Sequence, residues 1–482
     1  MMIGRSAIIV FGVLSSVAYS YVVPEARIER LTPRGIRVSI PDETGVQFFA
    51  FHANINDPIR ANEQGTISGE VTRPRDNNWT FQDGSITLRD DDVLRYWIYV
   101  QANGRPYTRS GDEERTPESN RLQKRGNPTC LESSTTVRGS SSPCRDRVVF
   151  EENFDTDSTL STSNNSKWTR EVKMPRDPDY EFCVYRELRK NLRFEDGIMR
   201  VSPLILDDEY GVNSTLFGRL DLGELCTGSQ SAECSRNAVG YNILPPVVSA
   251  RLTTKDSFYF RYGKIEIRAK FPKGDWLYPE LWLEPKYRSY GLDYLSGRVI
   301  LGMARGNEQL SKTTGLQLGP YGSASLEFGA RNGPRNNVQD RKVTTVKRSG
   351  LWTDDFHVYT TIWNADGFRF QVDGEDVGEL HPPPESWLDS GRSSDNTDRR
   401  NVNKMAPFDN EFYLVVGLGV GGIRVFPDGT ISGRNPKPWR NVEAKAMLNF
   451  WRAKDEWFPS WTDRKGVINS QFQIDYIRVT SI

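Results

Sequence analysis

From Gly263 to Lys270 polar and apolar residues alternate one by one. That is the pattern of a strand with one wet face and one dry face. The two-residue period returns in 94–101 and 472–479, and 412–420 is an almost unbroken apolar run, as in a strand buried on both faces. Strand-like runs at 37–40, 46–51 and 93–101 follow one another closely, and 21–110 carries no convincing helical period. A chain with this rhythm folds as sheets packed on sheets. At 482 residues it is longer than one ordinary domain needs.

Lys plus Arg equals Asp plus Glu at 63 each. This balance argues against a nucleic-acid partner or an acidic membrane held by general basicity. Only three His occur, His52, His357 and His381. They are too scattered for a His-rich zinc site, and no ligand cluster calls for a metal or any other cofactor. Aromatics make up 11% of the chain. Most of them belong to cores, although flat rings also serve carbohydrate binders as platforms. Residues 1–20 read as a secretory signal, with Arg5, an apolar run over 7–14 and small residues at 18–20; no stretch is long enough to span a membrane. The mature chain then starts at Tyr21 and works outside the cell. In that compartment Cys should pair. Short closures favour Cys130 with Cys144 and Cys226 with Cys234, leaving Cys183, although five Cys allow other connectivities. Asn78, Asn164 and Asn213 head glycosylation triplets.

Residues 21–110 are expected to form a small immunoglobulin-like β-sandwich. Along 94–101, Leu94, Tyr96, Ile98 and Val100 share one face and form the natural core, whereas Arg95, Trp97, Tyr99 and Gln101 share the other. Trp97 and Tyr99 among polar neighbours make a platform for a ligand, unless a loop covers the Trp. Trp79, beside the Asn78 triplet, is as readily a core residue as a site residue.

Tyr21-Val22-Val23-Pro24, Val38-Ser39-Ile40-Pro41-Asp42-Glu43, Phe49-Ala50-Phe51-His52, Trp79-Thr80-Phe81 and Tyr96-Trp97-Ile98-Tyr99-Val100 resemble the N-terminal module of insect β-1,3-glucan recognition proteins, also called Gram-negative bacteria-binding proteins. The resemblance implies glucan binding on a sheet face by a Trp, acidic residues and an Arg. By motif the Trp is Trp97. The acid before Thr-Lys/Arg-Pro is Glu70, ahead of Val71-Thr72-Arg73-Pro74. The Arg that follows a Gly-Tyr in the family falls, with a one-residue shift, on Arg109. Sugar C–H faces stack on indole, while carboxylate and guanidinium groups fix hydroxyls.

Residues 111–147 are polar and Ser/Gly-rich, the composition of a linker stiffened by a Cys130–Cys144 loop. Residues 148–482 are expected to form a large jelly-roll sandwich of the concanavalin and laminarinase type. Tyr262-Gly263-Lys264-Ile265-Glu266-Ile267-Arg268, Glu280-Leu281-Trp282-Leu283-Glu284-Pro285, Val372-Asp373-Gly374 and Ile474-Asp475-Tyr476-Ile477 are similar to glycoside hydrolase family 16. Active members carry Glu-x-Asp-x-x-Glu, or Glu-x-Asp-x-Glu, between a Gly and a small-Arg-Gly-Asn ending. Here Gly297 and Ala304-Arg305-Gly306-Asn307 keep that frame. Arg298 stands at the nucleophile, Ile300 at the tuning Asp and Met303 at the acid/base. None of the three can attack, donate or relay a proton.

The expected function is therefore a secreted, non-catalytic pattern-recognition protein that binds β-1,3-glucan, with Trp97, Glu70, Arg109, Tyr99 and Arg95 as contacts. The resemblance implies other microbial cell-wall polysaccharides as further ligands, insect haemolymph as the location, and serine proteases of Toll or prophenoloxidase cascades, or other recognition proteins, as partners. Three alternatives stand beside it: a binder of lipopolysaccharide or peptidoglycan, a β-1,3-glucanase with a non-standard site, and a mainly structural or interaction protein whose cleft is empty.

Overall fold

The computed structural model describes residues 21–113 and 131–482, apart from 22, 32–34, 61–62, 76, 87, 89–91, 140–142, 156–165, 313–321, 385, 389–402, 463–465 and 467. The expected signal segment, Cys130 and Asn164 lie outside the described residues. The chain divides into two compact units, 1–122 and 123–482. Both are built from β-sheets, as expected.

In the N-terminal unit, strands β1 (Arg27–Arg30), β2 (Ile36–Pro41) and β5 (Asn78–Asp83) form one sheet in the order β1-β2-β5. Strands β3 (Val46–Ile55), β4 (Ile67–Val71), β6 (Leu94–Ala102) and β7 (Arg105–Glu113) form the other, in the order β4-β3-β6-β7. All neighbours pair antiparallel. The two sheets close over Ile36, Val38, Phe49, Phe51, Ile98 and Val100, each buried side chain contributing roughly 1.5–3 kcal/mol. Gly69 is needed where it stands, because a Cβ there would meet the Phe81 ring at 2.3 Å. Phe81 crosses from the opposite sheet to stack on Phe51, with ring centroids 5.5 Å apart. Strand β7 runs to Glu113, past the boundary expected at 110.

The linker expectation fails over its second part. Thr136–Val137 pairs with Tyr259–Arg261, and the Ser134 amide donates to the Ile482 carbonyl at 2.7 Å. Thr135 is fully buried. Polar composition misled here, because the hydroxyls of Ser133, Ser134 and Thr135 find their partners inside the C-terminal unit.

That unit is a sandwich of two large sheets. One runs in the order Leu192–Glu195, Ile198–Val201, Phe472–Thr480, Gly263–Lys270, His357–Asn364, Gly367–Val372, Glu375–Leu380. The other includes, side by side, Arg251–Thr253, Phe412–Val420, Leu277–Pro285, Tyr294–Met303, Ser325–Gly333 and Gln339–Val346. Gly263–Lys270 alternates buried and half-buried along its length, as its sequence predicts. Between the sheets lie Ile265, Ile267, Leu281, Leu283, Val299 and Leu301. Leu277–Pro285 and Tyr294–Met303 are buried on nearly every residue. Their second face is therefore also covered, although in 277–285 it carries Glu280, Trp282 and Glu284. Cys226 and Cys234 are joined, Cys183 is free and buried, and Cys144 is disulfide-bonded. No described helix is long and apolar enough to cross a membrane.

Candidate functional site

Strands β4, β3, β6 and β7 turn one face away from the sandwich core. Register fixes who shares it. Tyr99 lies opposite Ala50 on one side and Thr108 on the other, and Ala50 lies opposite Glu70. The next row is Ser68, His52, Trp97 and Ser110. Trp97 is thus on the outer face, as its alternation predicts, but it is not an open platform. It is only 5% exposed. Its ring stacks on His52 at 4.2 Å and 11°, and its Nε1 donates to the Glu63 carbonyl at 2.6 Å. Burial holds the His52 imidazole down at about 4 against the bond from Nδ1 to the Gln64 carbonyl, so the ring beside Trp97 is neutral at physiological pH.

The exposed aromatic surface lies one row further along. Tyr99 and Phe48 are both half-buried, and their rings meet edge to face at 5.9 Å. Phe48 was not singled out from the sequence. Its alternation with core-facing Phe49 and Phe51 puts it on the outer face, opposite Gln101, and the bulge between Val46 and Phe48 comes just before it. Glu70 is exposed. It stands about two strand spacings, ~10 Å, from Tyr99, with small Ala50 between them as the floor of a shallow trough. Tyr99 is one wall, Glu70 the other, and the width suits a pyranose ring.

Arg109 does not join them. It pairs in register with core-facing Ile98 and so belongs to the opposite side of the sheet. Its guanidinium donates to the Val23 carbonyl at 3.0 Å and lies 3.6 Å from Glu25. The position that faces the trough is 108, and it carries Thr. Counting parity back from Ile98 through the turn at Asn103-Gly104 was a signal available in the sequence. Arg95 lies on the outer face, half-buried, opposite Asn54 and Asp112. Trp79 is core, with its Nε1 bonded to Asp42 at 2.7 Å. Asn78 is on β5, in the other sheet, and Asn213 is exposed ahead of a short helix at Ser214–Phe217.

In the C-terminal unit, Arg298, Ile300 and Met303 share one sheet face with Glu280, Trp282, Glu284, Glu327 and Arg331. All three are buried. Arg298 is ion-paired. It reaches Asp179 at 2.6 Å and Glu284 at 2.6 Å, and its guanidinium lies 4.4 Å from the Trp282 ring. Asp179 also accepts from the Tyr294 hydroxyl and lies 3.7 Å from Arg331. Burial alone would raise the Asp179 carboxyl, but Arg298 and Arg331 override it and hold it at about 2. A second cluster centres on Arg251, which contacts Glu280, Glu181 at 2.5 Å and Tyr185 at 2.6 Å. Gly417 leaves room for it, since a Cβ there would sit 2.6 Å from a Glu280 oxygen. Burial pushes the Glu280 carboxyl up despite Arg251. A third cluster joins Glu327 to Arg305 at 2.6 Å and to Lys342 at 2.9 Å. Asp179, on the turn after Arg176, thus ties a strap of chain over the face that the frame 297–307 occupies. Arg298 is thus paired with two carboxylates at its own sheet face.

The chain is similar to several known proteins. A carbohydrate-binding model (CBM39), described as "Carbohydrate binding domain (family 32)", matches residues 22–129. The chain is 34% identical to "Beta-1,3-glucan-binding protein 1" of Galleria mellonella, over 96% of each chain. It is 34% identical to "Beta-1,3-glucan-binding protein" of Tenebrio molitor, over 98% of this chain and 99% of that one. It is 33% identical to "Gram-negative bacteria-binding protein 1" of Drosophila melanogaster, over 95% of each. Among solved structures, the laminarinase from Rhodothermus marinus aligns at 18% identity over 70% of this chain and 98% of its own, with a TM-score of 0.42. With relatives of this identity matched along almost their whole length, the chain belongs to the family of β-1,3-glucan-binding and Gram-negative bacteria-binding proteins.

Proposed function

We propose that this chain is a secreted recognition protein that binds β-1,3-glucan on the outer face of β4-β3-β6-β7 and cleaves nothing. The near end-to-end match to proteins named for glucan binding carries this reading. Tyr99 and Phe48 offer ring faces to sugar C–H groups, and Glu70 accepts from hydroxyls across the Ala50 floor. Trp97 acts from the neighbouring row, fixing the sheet surface through its stack on His52. The Cys226–Cys234 bridge supports a place outside the cell.

Lack of catalysis follows from the chemistry at 298, 300 and 303. Retaining hydrolysis needs two carboxyls ~5–5.5 Å apart, one attacking and one protonated. The carboxylates nearest Arg298, Asp179 and Glu284, both neutralise that guanidinium. Asp179, held at about 2, has no proton to give at neutral pH. Glucan chains that gather several copies would raise avidity and present the C-terminal unit to serine proteases or other recognition proteins.

Curdlan pull-down of the full chain is the test. Wild type is retained, and Tyr99→Ala with Glu70→Ala weakens retention about tenfold or more. Failure of wild type to bind curdlan sinks the glucan reading, and release of reducing sugar from laminarin by the pure protein sinks the non-catalytic one. The name of the Drosophila relative favours a second reading, a bacterial surface ligand. Peptidoglycan and lipopolysaccharide run beside curdlan decide between them.

A further inference from the structure

The C-terminal unit holds an open groove of about 980 Å³ that the glucan reading does not use. Four arginines line it, Arg176, Arg236, Arg335 and Arg424, against two carboxylates, Asp177 and Glu443. Both carboxylates are engaged. Asp177 lies 2.5 Å from Arg335, and Glu443 accepts from the Arg440 amide and from Asn449 at 2.8 Å. Arg424 is held by the carbonyls of Pro178 and Arg335 at 2.9 and 3.1 Å.

Arg176 and Arg236 differ. Both are half-buried, and among the described residues neither side chain has a hydrogen-bond or ion-pair partner. Burial pulls Arg236 below the usual guanidinium range; the like charge of Arg176 pulls the same way, and Tyr180 opposes it. Two guanidinium groups left together in a partly dry groove are destabilising until an anion arrives. Guanidinium forks also match carboxylate and phosphate groups better than any other side chain does.

The fold holds both arginines in place. Arg176 and Tyr180 flank Asp179, the residue tied down on Arg298 and Arg331. Arg236 lies in the strand Ser235–Asn237, paired with Arg219–Asp221 directly after the Cys226–Cys234 bridge. Tyr180, Tyr241, Asn242 and Asn336 share the lining. The volume is that of a site for a molecule of several rings, far beyond a single phosphate. We propose that this groove is a second carbohydrate site that takes an acidic glycan, a sugar chain bearing carboxylate or phosphate groups, with Arg176 and Arg236 as its paired anion contacts.

The proposal is independent of the N-terminal module, so curdlan retention is read separately and should not change. Full-length protein is titrated with a galacturonate hexamer, a phosphomannan fragment, laminarihexaose and tripolyphosphate. At least one of the two acidic glycans binds, identifying carboxylate or phosphate as the group read, and added salt weakens it. Arg176→Gln and Arg236→Gln each weaken that binding about tenfold or more, with laminarihexaose binding and melting temperature unchanged. Binding of neither acidic glycan overturns the proposal, as does binding that both variants keep. Tripolyphosphate binding as tightly as the glycans removes the sugar from it. A melting temperature lowered by several degrees in both variants makes the arginines structural and overturns it too.

Discussion

Two sheets in this chain turn a broad face away from their cores, and their sequences treat those faces in opposite ways. The outer face of β4-β3-β6-β7 carries Phe48, Tyr99, Thr108 and Glu70 half-buried or exposed. The corresponding face around Tyr294–Met303 is filled with Arg251, Arg298 and Arg305, each bonded to buried carboxylates. An open face of rings and short polar groups can change its partner from water to sugar at little cost. A face of buried ion pairs cannot, because each charge depends on the next. Truncation on the first face should therefore be read out in binding, and truncation on the second in stability.

The largest expected effect is at Arg251. Arg251→Met leaves Glu280, Glu181 and the Tyr185 hydroxyl without their shared partner and should cost the C-terminal unit about 3–5 kcal/mol. Urea unfolding of the full chain, with the two units followed as separate transitions, measures it. A loss below about 1 kcal/mol would break the contrast, since the cluster would then be replaceable decoration.

Acid should separate the two units next. Arg305 and Lys342 overcome the burial of Glu327 and hold it at about 2, against 4.5 for a free Glu. A depressed carboxyl stabilises the fold above its unfolded value and loses that contribution as pH falls through its folded one. The window is thus pH 4.5 to about 2, and the loss is about 3 kcal/mol. His52 is depressed from 6.5 to about 4. Its neutral form is the one the fold accepts, so the N-terminal unit loses stability as pH falls from 6.5 to about 4. Allowing for its partial exposure, that loss is about 2 kcal/mol. The N-terminal transition should weaken first on acidification, and His52→Phe should flatten its pH profile. An N-terminal melting temperature constant from pH 6.5 to 4 in wild type would refute the assignment to His52.

What was legible in the sequence follows the range of each interaction. Alternation placed the faces of 94–101 and 263–270, because period two is a local property. The reading of Arg298, Ile300 and Met303 as replaced acids came from the resemblance of the frame 297–307 to glycoside hydrolase family 16, not from alternation. What covers a face was not legible. The partner of Arg298 is Asp179, 119 residues away, and the carbonyl over Trp97 belongs to Glu63, 34 residues away. Phe48 is a miss of another kind, since its alternation with core-facing Phe49 and Phe51 already turned it outward. Arg109 is a different kind of miss. Its parity could be counted from Ile98 through a two-residue turn, but the family motif drew it to the wrong face.

The smallest stability effect tests the contrast most sharply, because it pairs two neighbours in one strand. Trp97 is 5% exposed and both stacked and hydrogen-bonded. Trp97→Ala should cost about 3 kcal/mol, so lost curdlan binding in that variant says little about contact. Tyr99 is half-buried and touches Phe48 only at its edge. Tyr99→Ala should cost about 1 kcal/mol or less, as surface truncations do, while curdlan retention falls about tenfold if sugar stacks on that ring. Retained binding in a Tyr99→Ala protein of unchanged melting temperature would move the ligand off this trough. Lost binding with unchanged stability would show that the open face, and not the buried indole beside it, meets the glucan.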